Sequence, residues 1–557
     1  MTSIKKQLPL EQITDYDAVV IGAGFSGLYM LHRLREDGFT ARVFEKGDGV
    51  GGAWYWSRYP GARCDSESIY YNYTFSEELY KEWTWTSRYP EQPEILRYLN
   101  FVADKLDLRK DIQFSTEITG AHYSEEHNKW RIYFTDGSSV TAKYLITGMG
   151  CISVNATNIP NFKGIENFEG NWYHTGFWPH EGVDLKGKRV GVIGNGSSGV
   201  QTIPVVAEQA EHLYVFQRTP QYTTPAQNHP YDHEYIKQAK ENFHEMRRMV
   251  HESMAGVPLQ FGERSALEDT PEERREVYEK AWQKGGVISY VYRDLMSDEE
   301  ANETVNEFIR SKIRETVKKP EVAEKLMPTY FYATKRAVID TNYYETFNRD
   351  NVTLVDVKNT PIEEITAKGV RTADGEEYEL DILIFATGYD GMTGPLFKLD
   401  LRGKDGVLLK DKWDNGSQVR SYYGLATAGF PNMFMITGPQ SPSVAGNMPI
   451  AIEQHVEWIS DCLNYLREHD IKTIEANVTA EENWSEHCKD VVEKTLYAKS
   501  DSWYTGANIE GKPRSFNIYL GGYGPYNQMI TEMALKGYEG FKLQPYSKNT
   551  VQNEQSM

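Results

Sequence analysis

Cysteine is scarce: four residues, Cys64, Cys151, Cys462 and Cys488, in a chain of 557, with no two in C-x-x-C spacing. That excludes a disulfide framework, a thiolate zinc site and the redox-active dithiol of a disulfide reductase. Basic residues are in deficit, 60 Lys and Arg against 80 Asp and Glu, for a net charge of −20. A polyanion or an anionic membrane surface would repel such a chain, so neither partner is expected and the acidity serves solubility. No apolar run reaches membrane-spanning length; the densest, Val19 to Leu31, is broken by glycines and serine. The opening "MTSIKKQLPLEQ" has no apolar core behind its lysines and does not read as a signal peptide. The expectation is a cytoplasmic, reduced setting, a monomer and no metal.

Two glycine loops supply what is present. "YDAVVIGAGFSGLYMLHRLREDGFTARVFEK" runs from an apolar strand, Ala18 to Ile21, into Gly22, Gly24 and Gly27 in G-x-G-x-x-G spacing. Helical periodicity follows through Leu28, Leu31 and Leu34 to a stop at Gly38, and a second strand, Ala41 to Phe44, ends on Glu45. In such a unit Gly22 makes the tight turn, Gly24 lets backbone amides approach a pyrophosphate, and Gly27 lets helix pack on strand. Glu45 is placed to accept hydrogen bonds from a ribose. "KRVGVIGNGSSGVQTIPVVAEQAEHLYVFQRT" repeats the pattern with strands Val190 to Ile193 and Leu213 to Phe216 around Gly194, Gly196 and Gly199. Here Gln217 and Arg218 stand where the first unit has its acid. A guanidinium pairs with a 2′-phosphate that a carboxylate would repel, and Thr219 adds a hydroxyl donor. The first site therefore suits a dinucleotide with a free ribose, and the second suits NADP.

The expected architecture is α/β, with two Rossmann-like domains, one for FAD and one for NADP, and a helical insertion in the second. The FAD domain takes 1–150 and 381–557. A linker and the first NADP portion take 151–230, the insertion 231–329, and the second NADP portion 330–380. Thr270 as N-cap, Pro271 in the first helical position, Glu273 closing a capping box and a glycine pair as stop mark one inserted helix. "DILIFATGYD" and "KYLITGMG" read as strand–turn segments, or equally as plain core strands. The chain is expected to turn back to the FAD domain after Thr387. The tail beyond Lys542 is polar and expected to fray.

The segment "FEGNWYHTGFWP" fits F-x-G-x-x-x-H-x-x-x-W-P at Phe168, Gly170, His174, Trp178 and Pro179. "GGAWYWSRYPGARCD" fits a second pattern at Gly51, Gly52, Trp54, Tyr59, Pro60, Gly61 and Asp65. Set around two Rossmann motifs, these resemble the fingerprints of type I Baeyer–Villiger monooxygenases, and the similarity extends over nearly the whole chain. The resemblance implies FAD and NADP as cofactors, and a ketone and O₂ as substrates. In that scheme NADPH reduces the flavin, the flavin peroxide formed with O₂ attacks the ketone, and an ester or lactone results. It makes the F-x-G-x-x-x-H segment a linker docked against both domains, Gly170 and Gly176 giving it backbone freedom and His174 holding its backbone.

By the same resemblance Arg336, in "YATKRAVID", matches the catalytic arginine, and Asp65 the aspartate beside it and the flavin. Lys335 matches a contact to the 2′-phosphate. Phe25, Ser26, Gly52, Ala53, Trp54 and Tyr71 fall with the flavin positions; Arg63 and Trp503 fall near the nicotinamide nucleotide, Trp503 on a mobile loop. Asn195, Ser197, Ser198 and Gln201 fall with the second glycine loop, where many relatives carry threonine in place of Asn195. On residue types alone, Asp65 and Arg336 read equally as an ordinary buried ion pair, and Trp503 as core packing. A fixed cation would favour an anionic oxidant and stabilise the oxyanion formed at a carbonyl. The substrates implied are cyclic or aryl-substituted ketones. The alternatives are oxygenation of nitrogen or sulfur, and a silent NADPH-sensing flavoprotein.

Overall fold

The computed structural model describes residues 14–546, so the opening dodecapeptide lies outside the described residues. The first sheet is built on the strand Asp15–Ile21, paired in parallel with Ala41–Phe44 on one side and Ser139–Thr147 on the other. It runs in the order 400–402, 118–124, 129–134, 139–147, 15–21, 41–44, 112–113, with Met433–Met435 pairing Ser139–Thr147 off that path. The helix Phe25–Glu36 buries Leu28, Leu31 and Leu34, the face its periodicity calls for. It packs on the long helix Met448–Glu468, which comes from the far end of the chain.

The second sheet has five parallel strands in the order 352–356, 212–217, 189–193, 382–385, 171–174. Two expectations change here. Ile382–Phe385 pairs with Arg189–Ile193, so the second sheet extends past the expected boundary at 381, and the chain next joins the first sheet at Asp400–Arg402. The aromatic segment is also more than a connector: its Asn171–His174 is the edge strand of this sheet. Neither Gly170 nor Gly176 has positive φ. A Cβ on Gly170 would lie 2.5 Å from the Asp381 carbonyl oxygen, and one on Gly176 would lie 2.6 Å from Thr157 Cγ2. Close approach, in place of backbone freedom, is what these glycines supply.

In the insertion Pro271–Lys284 is a helix with the Thr270–Glu273 capping box formed and Gly285 at its end. The earlier helix Phe243–Glu252 packs Phe243, Met246 and Val250 against Tyr80, Ile450 and Tyr523 of the flavin side. The insertion thus straddles both bodies and does not belong to the NADP domain alone. Of the tail beyond Lys542, Leu543–Pro545 belongs to the strand Phe541–Pro545, which pairs antiparallel with Ile471–Ala476, and 547–557 lies outside the described residues.

Both glycine loops have the geometry their spacing implies. Gly22 and Gly194 have φ of +94° and +101°, a region that costs a side chain about 1–2 kcal/mol. A Cβ on Gly27 would sit 1.8 Å from the Gly22 carbonyl oxygen. Gly27→Ala is therefore expected to push the helix off the strand, cost about 1–3 kcal/mol and lower flavin content at purification, read by absorbance per mole of protein.

Candidate active site

One cavity of about 1080 Å³ runs between the two sheets. Of the residues read from the sequence as catalytic or cofactor-binding, Gly27 and Gly199 alone lie outside its lining, in the helix–strand contacts behind the loops. The helices Phe25–Glu36 and Ser197–Gln209 both begin at the cavity with no side-chain cap and no acid in the first turn. Their first amides and positive dipole ends are thus presented where a pyrophosphate would supply the missing acceptors. A Cβ on Gly196 would meet nothing within 4 Å, which leaves open space over the second loop. These features fit two dinucleotides.

Glu45 is buried, with its two oxygens accepting from the amides of Ala23 at 2.8 Å and Gly47 at 2.7 Å. Burial pushes its carboxyl up, and these amides partly offset that. Each oxygen keeps a second acceptor site for a ribose hydroxyl. Trp54 donates its Nε1–H to the Tyr71 hydroxyl at 3.0 Å, and Phe25 meets the Tyr71 ring edge-on at 5.4 Å. On the NADP side the Asn195 Nδ2 donates to Gln217 Oε1 at 2.9 Å. Lys335 is the partly buried cation beside Arg218; burial, then Arg218, lowers its pKa. Asp501 offsets part of this, and two cations side by side in a cavity are chemistry that suits an anion.

Arg336 donates Nε–H to Asp65 Oδ2 at 2.8 Å and Nη2–H to the same oxygen at 2.5 Å. Asp65 holds the guanidinium well above its ordinary pKa, and the neighbouring Tyr504 acts in the same direction. The φ of Arg336 is +119°, a strained value for a residue with a Cβ. Tyr504 was missed from sequence. Its signal was its place beside Trp503 in "SWYTGAN", and its ring packs at 4.4 Å from the indole. Trp503 itself lies against Gly391, whose Cβ would meet the indole at 3.1 Å. Cys151, Val444, Met448 and Ile452 give the cavity an apolar stretch of wall.

Arg63 turns its guanidinium to Glu91 at 2.9 Å, and Gln201 is taken up by the loop that leads to Asp65. His174 lies outside the cavity lining, fully buried, accepting at Nδ1 from the Gly176 amide at 2.9 Å. Burial lowers its pKa to about 4. A free histidine titrates near about 6.5, so the neutral ring's contribution to stability is whole above that pH. It is lost as pH falls towards about 4, at about 1.4 kcal/mol per unit. His455 is shifted the same way. His174→Asn should lessen the stability lost between about pH 7.5 and about pH 5 by about 2 kcal/mol, measured by denaturant melts at each pH.

A flavin-binding monooxygenase-like family model matches residues 16–247. A Baeyer–Villiger monooxygenase of Pseudooceanicola batsensis is 46% identical, with 94% of this chain and 95% of that one aligned. The chain belongs to the Baeyer–Villiger monooxygenase family. The crystal structure of cyclohexanone monooxygenase from Rhodococcus sp. Phi1 bound to NADP⁺ superposes with a TM-score of 0.93 at 44% identity, covering 96% of this chain and 100% of that one. A phenazine N-monooxygenase of Lysobacter antibioticus is 42% identical over 95% of this chain and 97% of its own. The family is that of FAD- and NADPH-dependent enzymes, as the two glycine loops imply. Among the described residues no helix is long and apolar enough to cross a membrane, and no cluster of side chains could hold a metal.

Proposed function

We propose that this monooxygenase inserts one oxygen atom beside the carbonyl of a cyclic or aryl-substituted ketone. A ketone, O₂, NADPH and a proton give an ester or lactone, NADP⁺ and water. The observation that carries the reading is the Asp65–Arg336 pair set in the cavity between the two nucleotide loops. Bound FAD supplies the two-electron chemistry that links NADPH to O₂.

The chain's own residues do the rest. Arg336 keeps its proton throughout, because Asp65 accepts its bonds and stabilises its charge. Its donors meet the negative charge that develops on the ketone oxygen, a stabilisation strongest in a site with few competing waters. Asp65 orients the guanidinium without taking its proton. Arg218, Thr219 and Lys335 would hold the 2′-phosphate of bound NADP, and Trp503 would stand on the nicotinamide side. The apolar wall of Cys151, Val444, Met448 and Ile452 receives the hydrocarbon part of the ketone.

The likeness to a phenazine N-monooxygenase gives oxygenation of nitrogen a place as the second reading. An electron-rich nitrogen or sulfur develops no oxyanion at a carbonyl, so it has no need of Arg336. Purified protein should turn a panel of ketones into esters or lactones by product mass spectrometry. NADPH consumption that yields hydrogen peroxide alone across the panel would overturn the ketone reading. N-oxides or sulfoxides formed equally well by Arg336→Ala would replace it with the second.

A further inference from the structure

Gln201 sits in the first turns of the helix Ser197–Gln209, two residues past the second glycine loop, where a side chain is expected to face the nucleotide. Its amide is instead occupied by the other body. Tyr59 donates its hydroxyl to Gln201 Oε1 at 2.8 Å, and the Arg63 amide donates to the same oxygen at 3.4 Å. Gln201 Nε2 donates in return to the Arg63 carbonyl at 3.1 Å. Both ends of the carboxamide are thus taken by one five-residue loop, 59–63.

The loop's shape is cut for this contact. Gly61 has φ of +82°, and a Cβ there would lie 2.3 Å from the Gln201 carbonyl oxygen and 3.1 Å from Val205 Cγ2. Backbone therefore lies directly on the NADP-side helix. The Ala62 carbonyl accepts from the Gln92 amide at 2.9 Å, and the Cys64 amide donates to the Pro90 carbonyl at 3.0 Å. These bonds tie the same loop to the flavin side. Two residues beyond Arg63 comes Asp65, which carries Arg336.

We infer that Gln201 is a positioning residue that clamps the Tyr59–Arg63 loop to the NADP-side helix and so fixes where the Asp65–Arg336 pair stands relative to the second glycine loop. The carboxamide is suited to the task, since one group both donates to and accepts from the backbone of a single residue. A carboxylate or an alkyl group cannot do both. Gln201 acts through the loop, and its effect on chemistry passes through Asp65.

The inference rests on the reading of Asp65 and Arg336 as the reacting pair, but its test does not. Hydrogen–deuterium exchange on the FAD-loaded protein without NADP reads the clamp directly. Gln201→Leu keeps the side-chain bulk and removes three bonds. Amide exchange across 59–66 should accelerate about fivefold or more, with flavin content unchanged. Tyr59→Phe, which cuts the clamp from the other side, should accelerate exchange across 197–205. With NADP present, both variants should release a larger share of reducing equivalents as hydrogen peroxide. If Gln201→Leu raises the KM for NADPH while exchange across 59–66 stays at the wild-type rate, Gln201 serves the nucleotide directly and the clamp is refuted. Unchanged exchange in both variants refutes it equally, whatever the reaction proves to be.

Discussion

Replacing Arg336 with alanine is expected to lower ester formation by about 10²–10³-fold, the loss that follows removal of one well-placed oxyanion donor. Consumption of NADPH should fall far less, and the difference should appear as hydrogen peroxide. Gas chromatography of the ester and a peroxide assay on the same sample measure both. Asp65 would be left beside the cavity without its partner, so a stability loss of about 1–3 kcal/mol is expected as well. Asp65→Ala addresses the orienting half of the pair. There the guanidinium keeps its charge but loses both bonds to Oδ2, so an intermediate loss of about tenfold or more in ester formation is expected. A melting curve taken beside the kinetics separates the chemical effect from the structural one.

The second large effect concerns the cation pair. Each charge-assisted bond to a phosphate is worth about 1.5–3 kcal/mol. Arg218→Ala or Lys335→Ala should therefore raise the KM for NADPH by about 10–100-fold and leave the KM for NADH nearly unchanged. The double variant should bring the two coenzymes close to parity. Lys335 sharpens the argument, because its ammonium is already disfavoured by burial and by the neighbouring guanidinium. An arriving 2′-phosphate relieves that repulsion, so binding NADP should draw a proton onto Lys335 at high pH. Affinity for NADP⁺ is thus expected to weaken as pH rises towards the lysine's lowered pKa, a trend absent in Lys335→Ala. Titration calorimetry across pH reads it.

What the sequence disclosed and what it hid divide along the range of the interactions. The glycine loops, the Thr270–Glu273 capping box and the paired strands of each nucleotide unit rest on neighbours within a few residues, so their spacing alone implied them. The contrast of Glu45 with Arg218 was equally local, because one position after a strand decides the sign of charge offered to a ribose. Pairings across the chain were another matter. Nothing near Tyr504 shows that it stands within electrostatic reach of Arg336, and nothing near Gln201 shows that Tyr59 and Arg63 occupy it. The aromatic segment around His174 looked like a connector because its strand is four residues long and completes a sheet whose centre lies elsewhere. Asp65 and Arg336 were placed together by resemblance alone; their residue types were equally consistent with an ordinary ion pair.

The strand order of the second sheet bears on attempts to transplant its coenzyme unit. A fragment cut at 180 and 380 would keep 189–193, 212–217 and 352–356 but forfeit 171–174 and 382–385. Arg189–Ile193, central in the intact protein, would become a naked margin with unpaired amides and carbonyls, an invitation to stick to other copies. Chimeras that exchange coenzyme preference between relatives should carry both flanking segments across together.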